Sequence, residues 1–154
     1  MTLKLEGREE LGFSPDEVWE SLFEENVLRA AIPGCEALER IDETGFAATV
    51  QIKIGPVKAR FKGRVQITDM HRPHSFRLTG WGEGGMAGFA EGGADVTLGA
   101  GDAGGTVMHY TAEAKIGGKL AQLGSRLVQG AATKLVAQFF ADFSAAIEAR
   151  HAPA

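Results

Sequence analysis

Apolar and polar positions change their period twice along this chain. Thr2 to Gly12 alternates, with Leu3 and Leu5 set between polar residues, and predicts a first strand. Ser14-Pro15-Asp16-Glu17 then reads as a capping box, with Ser at N-cap, Pro at N1 and Glu at N3. Phe13 and Val18 occupy the two positions of a hydrophobic staple. A helix through about Glu24 follows, with Val18, Trp19, Leu22 and Phe23 on one side. A second short helix over about Asn26–Ala31 stops at Pro33-Gly34.

From Glu36 to Ile116 the period is two. Phe46, Ala48, Val50, Ile52 and Ile54 share one strand face, and Gly55-Pro56 makes a turn. Val57, Ala59, Phe61, Val65 and Ile67 share the next, opposite Lys58, Arg60, Lys62 and Arg64. Asp42-Glu43-Thr44-Gly45 joins a strand at about 36–42 to that at 46–54. Loop 69–74 leads to a strand beginning SFRLTGW, and further strands are predicted at 85–98 and 106–116 around the turn GAGDAGG. The last segment, about Gly118 to Arg150, has apolar residues spaced by three and four (Leu120, Leu123, Leu127, Ala131, Leu135, Phe139, Phe143, Ile147) and predicts one long helix. A long run of antiparallel strands and one amphipathic helix make an α+β fold, with the helix laid across the concave face of a curved sheet.

Composition narrows this. The 154 residues suit one domain, expected over 1–150 with a short tail at 151–154. The apolar and charged fractions, 44% and 23%, are those of a globular protein, and the single cysteine excludes a disulfide scaffold. No apolar run reaches the ~18 residues of a membrane span, and the charged N-terminus has no signal-peptide core. A cytoplasmic protein is expected. A pI near 5.6 and net charge of −4 argue against a nucleic-acid partner. The 21 glycines are about twice the usual share of ~7%.

Those glycines fall on one parity of the middle strands. Phe76 and Leu78 continue as Gly80 and Gly82; Met86, Gly88, Ala90, Gly92, Ala94, Val96 and Leu98 share a face; so do Met108, Tyr110, Ala112, Ala114 and Ile116. Two readings follow. Small inward residues leave a hollow between sheet and helix, apolar and suited to an apolar or flat-ring ligand. Alternatively, the glycines bend the sheet. The first reading makes Phe61, Leu78, Gly80, Gly82, Ala90, Gly92, Met108, Tyr110, Ala112, Leu123, Leu127 and Ala131 candidate ligand-binding residues. Tyr110 is the one inward polar group on the middle strands, placed to orient a carbonyl by donating its hydroxyl proton.

Catalytic chemistry finds little support. Asp69, His71 and His74 share a loop interrupted by Pro73 with no further ligand spacing, so no metal site is assigned. His109 is expected to point outward, Cys35 to be a small buried residue, and no nucleophile or phosphate-loop motif is present. No residue is given a catalytic role. Lys53, Lys58, Arg60, Lys62 and Arg64 form a basic row on one strand face. The row reads as a solvated face or, functionally, as a docking surface for an acidic partner or anionic membrane.

PGCEAL (33–38), IGPVKARFKGRVQITD (54–69), GFAEGGADVTL (88–98) and GGKLAQLGSRLV (117–128) resemble, in order and spacing, the CoxG family of carbon monoxide dehydrogenase proteins, within the START-like, helix-grip superfamily. The resemblance implies a curved antiparallel sheet of about seven strands gripping a long C-terminal helix, with two short helices after the first strand. It further implies a non-catalytic accessory protein of molybdenum-containing carbon monoxide dehydrogenase or related hydroxylases, without a covalent cofactor. Such a protein would serve in membrane recruitment or in electron-acceptor delivery through a bound quinone or lipid. Several members continue into a Pro- and Ala-rich linker and an anchor. This chain stops at Ala154, so a soluble shuttle or a transient membrane contact is expected. Other helix-grip proteins are polyketide cyclase- or dehydratase-like enzymes, and a pure protein–protein adaptor is the remaining alternative.

Overall fold

Ser14 caps the first helix as its position predicts: its Oγ accepts the Glu17 N–H at 3.2 Å, and α1 (Pro15–Leu22) begins at Pro15. The reciprocal half of the capping box does not form. The Glu17 carboxylate pairs instead with the His151 imidazole at the far end of the chain. The computed structural model describes residues 1–151. After β1 (Thr2–Leu11) come α1, α2 (Glu25–Ala31), β2 (Cys35–Asp42), β3 (Gly45–Ile54), β4 (Val57–His71), β5 (Ser75–Glu83), β6 (Phe89–Ala100) and β7 (Thr106–Gly117). Then follow α3 (Lys119–Gln122) and α4 (Ser125–His151). The strands make one antiparallel sheet of seven in the order β1-β7-β6-β5-β4-β3-β2. Hairpins join consecutive strands from β2 to β7. Asp42 builds the first of these turns, its Oδ1 accepting the Thr44 N–H at 2.9 Å.

Three expectations are corrected. The long helix is broken: Gly124 has φ +93° and separates α3 from α4. The apolar spacing runs across the break because both pieces bury the same side, through Leu120 and Val128. The strand expected from 85 begins at Phe89. Gly85–Ala87 is a turn of 3₁₀ helix, so Met86 lies outside the inward row and is 79% exposed. His151 closes α4 rather than starting a tail, and the rest of the expected tail lies outside the described residues.

Two apolar clusters occupy the concave side. One gathers Trp19, Val27, Leu38, Phe46, Ile67, Phe76, Val96, Met108, Phe140, Phe143 and Ile147 under α1, α2 and the C-terminal half of α4. The other gathers Ile54, Phe61, Ile116, Leu120 and Val128 under α3 and the start of α4. Two cross-strand rows of mainly small residues run between them: Val65–Gly80–Gly92–Ala114 and Gly63–Gly82–Ala90–Ile116. At Gly92 and Gly63 the neighbouring backbone approaches too closely for a side chain. A Cβ on Gly92 would lie 2.1 Å from the Glu113 carbonyl oxygen, and one on Gly63 2.6 Å from that of Trp81. The glycines therefore mark a crease along which neighbouring backbones close up. α4 spans the trough, packing on α2 and against β1 and β3 near the two margins of the sheet.

Candidate functional site

A cavity of about 420 Å³ lies between α4 and the sheet, on the α1–α2 side of the crease. The sheet supplies its floor through Ala48, Ile67, Leu78, Ala94, Ala112 and their neighbours. Leu22, Phe23, Leu28 and Ile32 of α1, α2 and the residues just after them close one end. Leu135, Val136, Phe139 and Phe140 of α4 form the roof. Val65 is the wall residue that reaches solvent furthest, at 37% exposed, which puts the rim beside the crease. A volume of this size falls within the roughly 300–1,000 Å³ typical of small-molecule sites.

Of 21 residues in the wall, 20 are aliphatic, Phe or Met, and the other is Tyr110. Its ring stacks on Phe140 at 5.9 Å and leans across β1 over Gly7, its cross-strand partner. Gly7 is required there: a Cβ would fall 2.2 Å from the Tyr110 hydroxyl. Among the described residues no hydrogen-bond partner meets that hydroxyl, so it is available as a donor. Burial, followed by the negative charge of Glu9, raises the Tyr110 pKa above its ordinary value. The hydroxyl is therefore a protonated donor at neutral pH. Glu9 follows Leu3, Leu5 and Gly7 in the inward phase of β1, a position the alternation could have revealed.

Of the twelve residues predicted to bind a ligand, the cavity gathers four: Leu78, Met108, Tyr110 and Ala112. The inward parity of the middle strands is as read, but the bulk is not. Gly80, Gly82, Ala90 and Gly92 lie in the crease rows. Phe61, Leu123 and Ala131 belong to the second cluster, against which Ala90 also packs. Leu127 is 42% exposed and rests over the β3–β4 turn, close to Gly55. The hollow lies between α4 and the sheet on the α1–α2 side. Its wall includes large side chains from α1, α2 and α4 that the small-residue argument did not reach.

The basic row is not uniform. Arg60 donates to both carboxylate oxygens of Glu36, at 2.5 and 3.2 Å. This pairing lowers the Glu36 pKa and raises that of Arg60. Lys58, Lys62 and Arg64 lie on the convex face without an ion pair among the described residues. His109 and Glu113 are exposed on the convex side, away from the cavity. No cluster of three or more His, Cys, Asp or Glu side chains suited to a metal occurs among the described residues. No helix among them is long and apolar enough to cross a membrane.

A sheet gripping a long C-terminal helix around an apolar cavity defines the START-like, helix-grip class. Within it, this chain belongs to the CoxG family, named for the G subunit of carbon monoxide dehydrogenase, whose model matches residues 7–148. A conserved protein from Geobacillus kaustophilus has a similar structure, with 34% identity, 95% of each chain covered and a TM-score of 0.89. The Zhui aromatase/cyclase from Streptomyces sp. R1128 shares the fold at 11% identity, covering 99% of this chain and 97% of its own, with a TM-score of 0.71. Norcoclaurine synthase from Thalictrum flavum does so at 15% identity, covering 99% and 98%, with a TM-score of 0.66. A comparison with curated proteins returned no match.

Proposed function

We propose that this protein is a non-catalytic carrier that holds a quinone or similar lipid-like molecule in its cavity. It serves a molybdenum-containing carbon monoxide dehydrogenase or related hydroxylase, delivering the electron acceptor or bringing the enzyme to the membrane by transient contact. The observation that carries the reading is the 420 Å³ cavity whose wall, among the described residues, has Tyr110 as its only polar side chain. Such a wall favours an uncharged ring system through burial of apolar surface, at roughly 25 cal/mol per Å². It cannot solvate a charged substrate. Family membership supports the partner. No carboxylate, imidazole or amine among the described residues lines the cavity, so general acid–base chemistry would fall to Tyr110 alone.

Protein purified from a quinone-making host, extracted with organic solvent and examined by mass spectrometry, should release a quinone or lipid in near-stoichiometric amount. An empty protein that also fails to take up added menaquinone or ubiquinone overturns the proposal. The second reading is a cyclase-like enzyme, favoured by the Tyr110 hydroxyl at the cavity wall, a protonated donor without a partner among the described residues. Turnover of a polyketide-type substrate, lost in Tyr110→Phe, would establish it.

A further inference from the structure

The convex face of β5 is polar through Ser75, Arg77 and Thr79, as expected for the solvent side of an antiparallel sheet. It then presents Trp81, 53% exposed. Phe89, 48% exposed, stands beside it on β6 opposite Glu83. Trp81 lines three separate grooves on this face, of about 870, 670 and 530 Å³, and so forms the ridge between them. Lys62 and Arg64 are the cross-strand neighbours of Glu83 and Trp81, and Lys115 that of Glu91. Cations therefore border the aromatic ridge on both sides.

We infer that this convex ridge, Trp81 with Phe89 and Arg64, is the surface on which the oxidoreductase partner docks, through an apolar pocket whose rim sets carboxylates against the cations and a cation against each of Glu83 and Glu91. The inference rests on the partner named in the proposed function. Aromatic residues and Arg are the residue types enriched where protein interfaces concentrate their binding energy. A ridge between grooves offers relief for another protein to interlock with, which a fluid bilayer does not demand. Glu83 and Glu91 stand among the cations; an anionic bilayer repels them, whereas a protein can place a cation opposite each. Arg60 is already engaged by Glu36, so Lys62, Arg64 and Lys115 supply the free positive charge.

The test is surface plasmon resonance with the purified dehydrogenase holoenzyme of the same organism, alongside vesicles of phosphatidylcholine and phosphatidylglycerol. Wild type should bind the enzyme. Trp81→Ala should weaken binding by about tenfold or more, as for a hot-spot tryptophan. Arg64→Glu should weaken it and flatten its salt dependence, and Arg8→Glu on β1 should leave it unchanged. Far-ultraviolet circular dichroism and a Tm at the wild-type level show that Trp81→Ala is folded. If wild type binds the enzyme and Trp81→Ala binds within about twofold of it, the ridge is not the surface and the partner reading survives. If wild type does not bind the enzyme, the partner reading and the docking surface fall together. Binding to the vesicles that is lost in Trp81→Ala, with enzyme binding unchanged, overturns the inference in favour of a lipid surface.

Discussion

Gly92→Ala tests the crease, because there the structure fixes both the direction and the size of the effect. The added methyl would lie 2.1 Å from the Glu113 carbonyl oxygen, 2.7 Å from the Ala114 Cα and 3.0 Å from its Cβ. None of these is the end of a flexible side chain, so relief requires β6 and β7 to separate or the coil to open. Overpacking of this kind costs about 1–3 kcal/mol. Reduced freedom of the unfolded chain returns about 0.4–1 kcal/mol. The net loss, centred on about 1.3 kcal/mol, should lower Tm by about 3–5 °C for a domain of this size. Gly130→Ala is the control: it sits in α4 with nothing within 4 Å of its added Cβ, so it should gain about 0.5–1 kcal/mol. Urea denaturation of both variants with a common m-value reads the difference. A Gly92→Ala protein as stable as wild type would refute the account of the crease.

Other consequences follow from single contacts. The chain has one tyrosine, so ultraviolet titration reads Tyr110 alone; its midpoint should exceed the ordinary value of about 10. Because the folded-state pKa is raised, this group's contribution to stability is full below the unfolded pKa and is lost as pH rises through the folded one. Gly7→Ala should displace the Tyr110 ring from Phe140, seen as a change in the near-ultraviolet circular dichroism and a shift of that midpoint toward the free value. Arg150→Ala should cost about 1–2 kcal/mol in urea denaturation. It removes the partner of the fully buried Ser21 hydroxyl at 3.0 Å and an ion pair with Glu24 at 2.8 Å. The Cys35 thiol, its pKa raised chiefly by burial, should react with a disulfide reagent at pH 8 more slowly than free cysteine.

The fold was legible because burial is one-sided. Ile52 and Ile54 alternate with Gln51 and Lys53 along β3, and Phe140, Phe143 and Ile147 recur along α4, so period alone separates strand from helix. The break at Gly124 was not legible, since periodicity records which side is buried and not whether the backbone is continuous. The cavity was legible in part. Parity turned Leu78, Met108, Tyr110 and Ala112 inward, where they meet the cavity, while Gly80 and Gly92 lie in the glycine rows beside it. A missing side chain looks the same in sequence whether it leaves a void or admits a neighbouring backbone, and only the approach of Glu113 to Gly92 separates the two. The end wall of Leu22, Phe23, Leu28 and Ile32 depends on how α1 and α2 fold over the sheet, which local pattern does not encode.

The most direct measurement is calorimetric titration of 2-methyl-1,4-naphthoquinone into wild type and into Ala94→Leu/Ala112→Leu. These two positions are cross-strand neighbours on the cavity floor, where the added carbons occupy the space a ligand would use. Saturable uptake at one site by wild type, lost or weakened about tenfold or more in the folded double variant, is the expected result. No uptake by wild type, or equal uptake by the filled variant, would contradict a ligand site between α4 and the sheet.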